Sequence, residues 1–326
     1  MHPTLRRAWT DLQLRRMASS TKPIMLGPWR SEVGFESLYW LPFIRYAARA
    51  HGIPADRFVT VTRGGARTLY GTRGIDLYQL RSVDAVRLEN QYDWEQTGLQ
   101  KQMRLTDWDR TVLREAAAQV LGRTERYLTL HPSLMYWALE PFWEEQAGTQ
   151  HLAALTDYQL IPKPKRVEVE LPAHYVAVKF YDRATFPGRD PAVQHWVRDL
   201  VSVLGAQTPI VLLSGTPGVD DHADIHVEHP SIVSLPAVDP TENLAQQIAV
   251  IAHAEAFVGT YGGLAQLALR MGIPSASFYS QWGGTAHAHL ALSSWLSKRT
   301  KTPFLAGSLD DGAAWRRLLS LPMAAA

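Results

Sequence analysis

Cysteine is missing from all 326 residues. Its absence excludes disulfides, thiolate catalysis and cysteine-ligated zinc or iron–sulfur centres. Long apolar runs are missing too: none approaches the roughly 18 residues that a membrane-spanning helix needs. No signal-peptide pattern is legible at the start. The expected compartment is therefore the cytoplasm. Charge of one sign is scarce, since 33 Lys and Arg face 31 Asp and Glu for a formal net charge of +2. The basic residues form no long block, so no nucleic-acid partner is expected and membrane contact is expected to be peripheral at most. Two nucleotide-binding signatures are also absent. Without Gly-x-Gly-x-x-Gly and a distal acidic residue the chain does not read as a dehydrogenase, and no Gly-x4-Gly-Lys-Ser/Thr occurs.

What is present is organised around residues 255–280. They parse as a short buried strand (256–258), a glycine turn (259–263), a helix (264–271) and a second strand after Gly272 and Pro274. In such a unit the helix N-terminus directs free N–H groups and the positive end of its dipole beyond the strand's carboxyl end, which suits a phosphate. Gly262 and Gly263 would let an anion approach the backbone closely. Two glycines that simply turn a strand into a helix are the alternative reading.

Earlier in the chain, Leu5, Trp9 and Leu12 recur at helical spacing among Arg6, Arg7, Arg15 and Arg16. A basic amphipathic helix of this kind lies on a membrane surface or docks on its own protein. Residues 24–29 read as a strand. A loop with Glu32 and Gly34 follows, and then a helix over 35–50 that begins with Glu36. Either carboxylate is a candidate catalytic base. Glu36, inside the first turn, fits equally a residue that complements the helix dipole. A second strand over 58–62 ends in Arg63-Gly64-Gly65-Ala66-Arg67, a candidate anion-binding turn or a solvated one. Residues 75–80 read as a third strand and 107–121 as a helix capped by Thr106 or Asp107. His131 leads into Tyr136, Trp137, Phe142 and Trp143, an aromatic cluster suited to stacking on a sugar or to core packing. His131 itself is either structural or part of a site.

Pro162, Lys163, Pro164, Lys165 and Pro172 mark a linker, giving two domains of 1–165 and 166–326. The last helix is a candidate to pack back on the first domain. Beyond the linker, strands at 175–180, 209–213 and 232–235 alternate with helices at 190–204 and 243–254. This pattern is that of a parallel sheet covered on both faces. The ends of such strands bind ligands, and here they carry Lys179, Tyr181 and Arg183, then Ser214, then Thr260, Tyr261, Gly262 and Gly263. The Asp220, Asp221, His222, Asp224, His226 and His229 cluster has ligand-type side chains and reads as a metal site or a surface loop.

Two α/β halves with the glycine turn in the second resemble the GT-B glycosyltransferases and, more loosely, their heptosyltransferase-like inverting members. The resemblance is carried by Gly27-Pro28-Trp29-Arg30-Ser31-Glu32-Val33-Gly34, by Lys179-Phe180-Tyr181-Asp182-Arg183 and by residues 257–274. It implies two Rossmann-like parallel-sheet domains facing across a cleft. The second domain would bind a nucleotide-sugar and the first a glycan or lipid-linked acceptor, with no cofactor and no metal. By resemblance Glu32 takes the place of the carboxylate base. The expected donor residues are Lys179, Arg183, Ser214, Thr260, Tyr261, Gly262, Gly263 and Gln266, and the expected acceptor residues are Gly34, Arg63 and His131. Heptosyltransferases usually show an Asp and a His within the glycine turn, where this chain has Thr260 and, nearby, Gln266. The paired glutamates of many retaining GT-B enzymes are also absent, which favours inversion. A sugar-nucleotide epimerase or hydrolase of the same fold is the alternative enzyme, and a non-catalytic two-domain binding protein is the alternative from another class.

Overall fold

The computed structural model describes residues 3–98, 102–122, 126–183, 185–213, 219, 223–225, 227–280, 286–312 and 315. The chain divides into two compact units, Met1–Gln159 with Pro240–Ala245, and Leu160–Asp239 with Gln246–Ala326. The Pro/Lys segment lies just beyond this division, and nothing in the sequence marks Pro240–Ala245 as belonging with the first unit.

In the first unit α1 (Pro3–Ala18) precedes β1 (Ile24–Leu26), and a continuous helical rod follows. The rod comprises α2 (Val33–Phe35), a π-helical turn (Glu36–Trp40) and α3 (Leu41–His51). Then come β2 (Phe58–Thr62), β3 (Arg73–Asp76), α4 (Leu77–Leu80), α5 (Val83–Thr97), α6 (Asp107–Val120), β4 (Leu128–Leu130), α7 (Pro132–Trp143) and α8 (Thr149–Leu155). The strand expected over 75–80 is cut short because the Asp76 carboxylate accepts the Tyr78 N–H and starts α4. An Asx cap of this kind competes directly with strand continuation. Thr106 and Asp109 form a reciprocal capping box that fixes the start of α6. The four strands lie in the order β3-β2-β1-β4, all parallel. Met25, Val59, Val61 and Ile75 of this sheet pack on Val112, Leu113 and Ala116 of α6.

The second unit contains β5 (Val176–Lys179), α9 (Pro191–Gly205), β6 (Ile210–Leu212), β7 (Ile232–Ser234), α10 (Asn243–Ala252), β8 (Ala256–Thr260), α11 (Gly263–Arg270), β9 (Ser275–Tyr279), α12 (Ala286–Thr300) and β10 (Phe304–Ser308). The first three residues of α10 fall within Pro240–Ala245. Among the described residues the sheet has six parallel strands in the order β10-β9-β8-β5-β6-β7. Val176, Val178, Val258 and Phe278 meet Trp196, Val197 and Leu200 of α9 in its core.

Both units are therefore Rossmann-like. In each, the strand order reverses beside the first strand, between β1 and β4 in one unit and between β5 and β8 in the other. Connections leave such a switch point in opposite directions, so the loops there diverge and open a crevice for ligand. The expected return of the last helix onto the first domain falls outside the described residues. No helix among the described residues is long and apolar enough to cross a membrane.

Candidate functional site

At the second unit's switch point, Lys179 of β5 stands in register with Gly259 of β8. One residue further, the Thr260 hydroxyl accepts the Tyr181 N–H at 3.1 Å, tying the two strand ends together. The chain then turns through Tyr261, whose N–H is held by the Phe278 carbonyl at 2.8 Å, and enters α11 with Gly262 at the N-cap. No side chain caps this helix. Its first N–H groups have no intrahelical partner by the geometry of an α-helix, and they carry the positive end of its dipole. A Cβ on Gly262 would press against the Tyr181 hydroxyl, which would have to move aside. The Arg183 guanidinium lies 6.0 Å from the centre of the Tyr181 ring, which brings a cation to the same corner. Gln266, one turn into α11, is buried. Burial raises the Tyr261 phenol above its ordinary range, so it is a neutral group at physiological pH.

Lys179 is a different kind of residue from the expected phosphate ligand. Its side chain is buried, with Nζ 3.1 Å from Gln247 Oε1 and 3.5 Å from Asp224 Oδ1. It braces the switch point from beneath, and its charge is matched inside the fold. A residue at the last position of a parallel strand points to one face or the other by register alone, which is why spacing could not tell these two roles apart. Ser214 lies outside the described residues, as do Asp220, Asp221, His222 and His226 of the candidate metal cluster. Of the rest of that cluster, Asp224 faces Lys179 and His229 Nδ1 sits 2.7 Å from Ser231 Oγ.

The first unit's switch point is built on a tight turn after β1. Gly27 has φ +110°, and a Cβ there would lie 2.5 Å from the Val61 carbonyl oxygen. The turn delivers Arg30 into the interior. Its guanidinium meets Asp93 at 2.7 Å, Asp109 at 3.1 Å and Asn90 at 3.0 Å, and its N–H meets Gln102 at 2.9 Å. Every one of these residues is buried. His131, which follows β4, joins them from the other side of the switch point. Its Nδ1 accepts the Ser133 N–H and caps α7, while Nε2 lies 3.4 Å from Asp109. Burial lowers the His131 pKa, with Asp109 opposing. Burial pushes Asp109 up, but the His131 ring and the Arg30 charge outweigh it and hold the carboxyl below its ordinary value. The structure thus places His131 in a capping role inside a sealed network, away from the acceptor role expected of it.

Two acidic residues share the helical rod. Glu32 is the N-cap residue of α2, with extended backbone (φ −71°, ψ 150°), and its side chain does not cap the helix. It is partly exposed, and its charge helps to raise the Tyr136 phenol, whose larger cause is burial. Gly34 is buried inside α2, where its carbonyl accepts the Ser37 hydroxyl. Glu36 occupies the π-helical turn and is 0% exposed, contrary to the surface dipole role its place in the first turn suggests. Thr62 and Tyr70 donate to its Oε1 at 2.6 and 2.5 Å. Burial lifts its pKa to about 7, against the two hydrogen bonds and the Arg63 charge. Arg63, at the end of β2, donates from Nε to the Ser31 carbonyl at 3.0 Å and so joins the loop that carries Glu32. The neighbouring Gly65 N–H is held by Asp76 at 2.7 Å. Glu32, Glu36, Arg63, Tyr70 and Asp76 thus gather near the carboxyl ends of β1, β2 and β3.

The aromatic cluster is mostly core. Tyr136 and Phe142 are buried, and Trp143 sits 5.0 Å from Tyr39 and 5.9 Å from Phe35 between ring centroids. Glu36 was legible as a candidate carboxylate but not as a buried one, and Tyr70 and the Arg30 partners were not legible in advance. Their polar side chains point inward from positions where spacing alone predicts surface, and Asp93 and Asp109 lie more than sixty residues from Arg30 in sequence.

No protein-family model and no curated protein matches the chain. Among solved structures it is similar to the E. coli heptosyltransferase WaaC with ADP, at 17% identity and a TM-score of 0.42, over 81% of this chain and 89% of that one. It is also similar to the glycosyl transferase family 9 protein from Veillonella parvula DSM 2008 (12% identity, TM-score 0.44, 95% and 92% covered). A third is the E. coli ADP-heptose lps heptosyltransferase II (12%, 0.43, 88% and 90%).

Proposed function

We propose that the protein is a nucleotide-sugar-dependent glycosyltransferase of the GT-B type. It moves a sugar from a nucleotide diphosphate donor to a glycan or lipid-linked acceptor, with inversion, no cofactor and no metal. The observation that carries this reading is the uncapped N-terminus of α11 at the switch point between β5 and β8. An anion there meets backbone N–H groups and a helix dipole, with the Arg183 charge alongside.

In this reading Thr260, Tyr261, Gly262, Gly263 and Gln266 form the floor of the donor site, and Ser214 is a further donor-binding residue. Arg183 takes diphosphate charge, and Lys179 holds the floor in place. Glu32 removes the proton from the acceptor hydroxyl, whose oxygen bonds to the anomeric carbon. The bond from that carbon to the diphosphate oxygen breaks, and its electron pair leaves with the diphosphate. Helix N–H groups and Arg183 stabilise the charge that develops there. Arg63 and Gly34 line the approach of the acceptor. We place the enzyme in the cytoplasm, in polysaccharide biosynthesis, without a nucleic-acid partner.

A thermal-shift panel of nucleoside diphosphates tests the donor site. Ligand at a hundred times its dissociation constant stabilises the native state by about 2.7 kcal/mol. The expected result is a shift with one base, lost in Gly263→Val although the unliganded variant melts like the parent. No shift with any nucleoside diphosphate would overturn the donor assignment. Turnover of the donor that ignores added acceptor would replace transfer by hydrolysis or epimerisation. The rate should survive saturating EDTA, and a rate abolished by EDTA and restored by manganese would refute metal independence.

A further inference from the structure

One face of α1 is bound to its own unit, and the opposite face is largely open, its Trp9 ring meeting Trp137 edge-on at 5.9 Å. Thr10 and Leu14 are fully buried, and the Tyr46 hydroxyl meets Asp11 at 2.9 Å. Arg6 pairs with Glu140 and lies 4.1 Å from the centre of the Trp137 ring. About half a helical turn away, Leu5, Trp9 and Leu12 are 59%, 45% and 45% exposed. Their spacing of four and three residues sets them in one row. Arg16 falls within that row and Arg15 flanks it at the helix's last turn, both exposed, whereas Arg7 is exposed on the far side, toward Tyr46. The helix has a single acidic residue, Asp11, which is turned toward Tyr46 and lies 3.4 Å from the His51 ring.

A row of large apolar side chains beside uncompensated cations fits a surface that is apolar just below a layer of negative charge. We propose that α1 docks the protein onto an anionic lipid bilayer, with Leu5, Trp9 and Leu12 entering the acyl boundary and Arg15 and Arg16 at the headgroups. Indole rings favour that boundary because they are apolar in body and polar at the tip. The other helix with exposed large apolar residues lacks this complement. In α5, Leu88, Tyr92 and Trp94 stand among Asp84, Glu89 and Glu95, which an anionic surface repels. The inference stands whether or not the sugar-transfer reading holds, since it uses no residue of that site.

Flotation of the full chain with phosphatidylcholine vesicles, with and without phosphatidylglycerol, tests it. The parent should float with the phosphatidylglycerol vesicles and stay in solution with pure phosphatidylcholine. Leu5→Ser/Trp9→Ser/Leu12→Ser should abolish flotation while the variant stays folded, its melting temperature lowered only by loss of the Trp9–Trp137 contact. Arg15→Gln/Arg16→Gln should lower the partition coefficient by roughly fivefold per arginine, the factor equivalent to about 1 kcal/mol. A parent that does not float, or a triple variant that floats like the parent, overturns the proposal. So does a concentration-dependent dimer on gel filtration that the triple variant converts to monomer, which would assign the face to a second copy of the chain.

Discussion

The switch point between β1 and β4 is filled with charge that the fold itself neutralises and its helix is capped by a side chain, whereas at the one between β5 and β8 the matched Lys179 charge lies below a helix start of uncapped backbone. In the first unit Arg30, Asp93, Asp109 and His131 occupy the crevice, and the helix that starts there, α7, is capped by the His131 ring. In the second, α11 starts on a glycine with no side-chain cap. The same topology thus yields a structural plug in one place and a ready anion site in the other. The difference lies in side chains at four or five positions. A buried ion network costs desolvation and is retained only when every partner is in place, while an uncapped helix start is retained where something else occupies it.

The largest effect expected is on chemistry at the edge of the filled switch point. Glu32→Gln should lower turnover by about 10²–10⁴-fold at saturating donor and acceptor, the usual worth of a general base. Donor affinity should stay at the parent's level, because the second unit is untouched. Parent-like turnover would remove Glu32 from the mechanism and leave the first switch point purely structural.

Arg30→Ala tests that structural role. It leaves Asp93 and Asp109 buried without their cation, and breaking a buried pair on one side typically costs about 3–5 kcal/mol. Urea unfolding should show a loss of this size. A variant that unfolds at the parent's urea midpoint would mean that water enters the crevice, and the contrast with the second unit would fail.

Glu36 gives a test through pH. Its folded pKa of about 7 stands above the ordinary glutamate value of 4.5, so ionising it opposes folding. Stability from this group is present below pH 4.5 and is lost as pH rises to about 7, by roughly 3 kcal/mol in total. Glu36→Gln keeps an oxygen to accept from Thr62 and Tyr70 and cannot ionise. The difference in unfolding free energy, variant minus parent, should therefore rise across that window and level off above it. A difference that does not change with pH would show that Glu36 ionises freely.

The smallest effect expected is at the open switch point. Arg183→Ala removes one charge-assisted contact, worth about 1.5–3 kcal/mol, so nucleoside diphosphate binding should weaken by roughly ten- to a hundredfold. Lys179→Met should instead show its main effect in unfolding, because the ammonium is matched by Asp224 and Gln247 inside the fold. If Lys179→Met abolished binding at unchanged stability, the lysine would face the ligand after all.

Much of this molecule followed from local sequence. The strand-turn-helix-strand at residues 255–280 was legible because an apolar run, two glycines and a helical period follow one another within two dozen residues, and each constrains backbone geometry directly. The alternation of strands and helices on both sides of the Pro/Lys segment indicated two parallel sheets for the same reason. The strand order, the buried face of Lys179, the plug around Arg30 and the inward turn of Glu36 came only with the tertiary structure. Which strand lies beside which is settled by long-range packing, and no local period records it. Whether a charge is sealed or solvated depends in turn on partners such as Asp109 and Asp224, brought from 79 and 45 residues away by that packing. Spacing supplied the residues with the right chemistry, and burial determined which of them can use it.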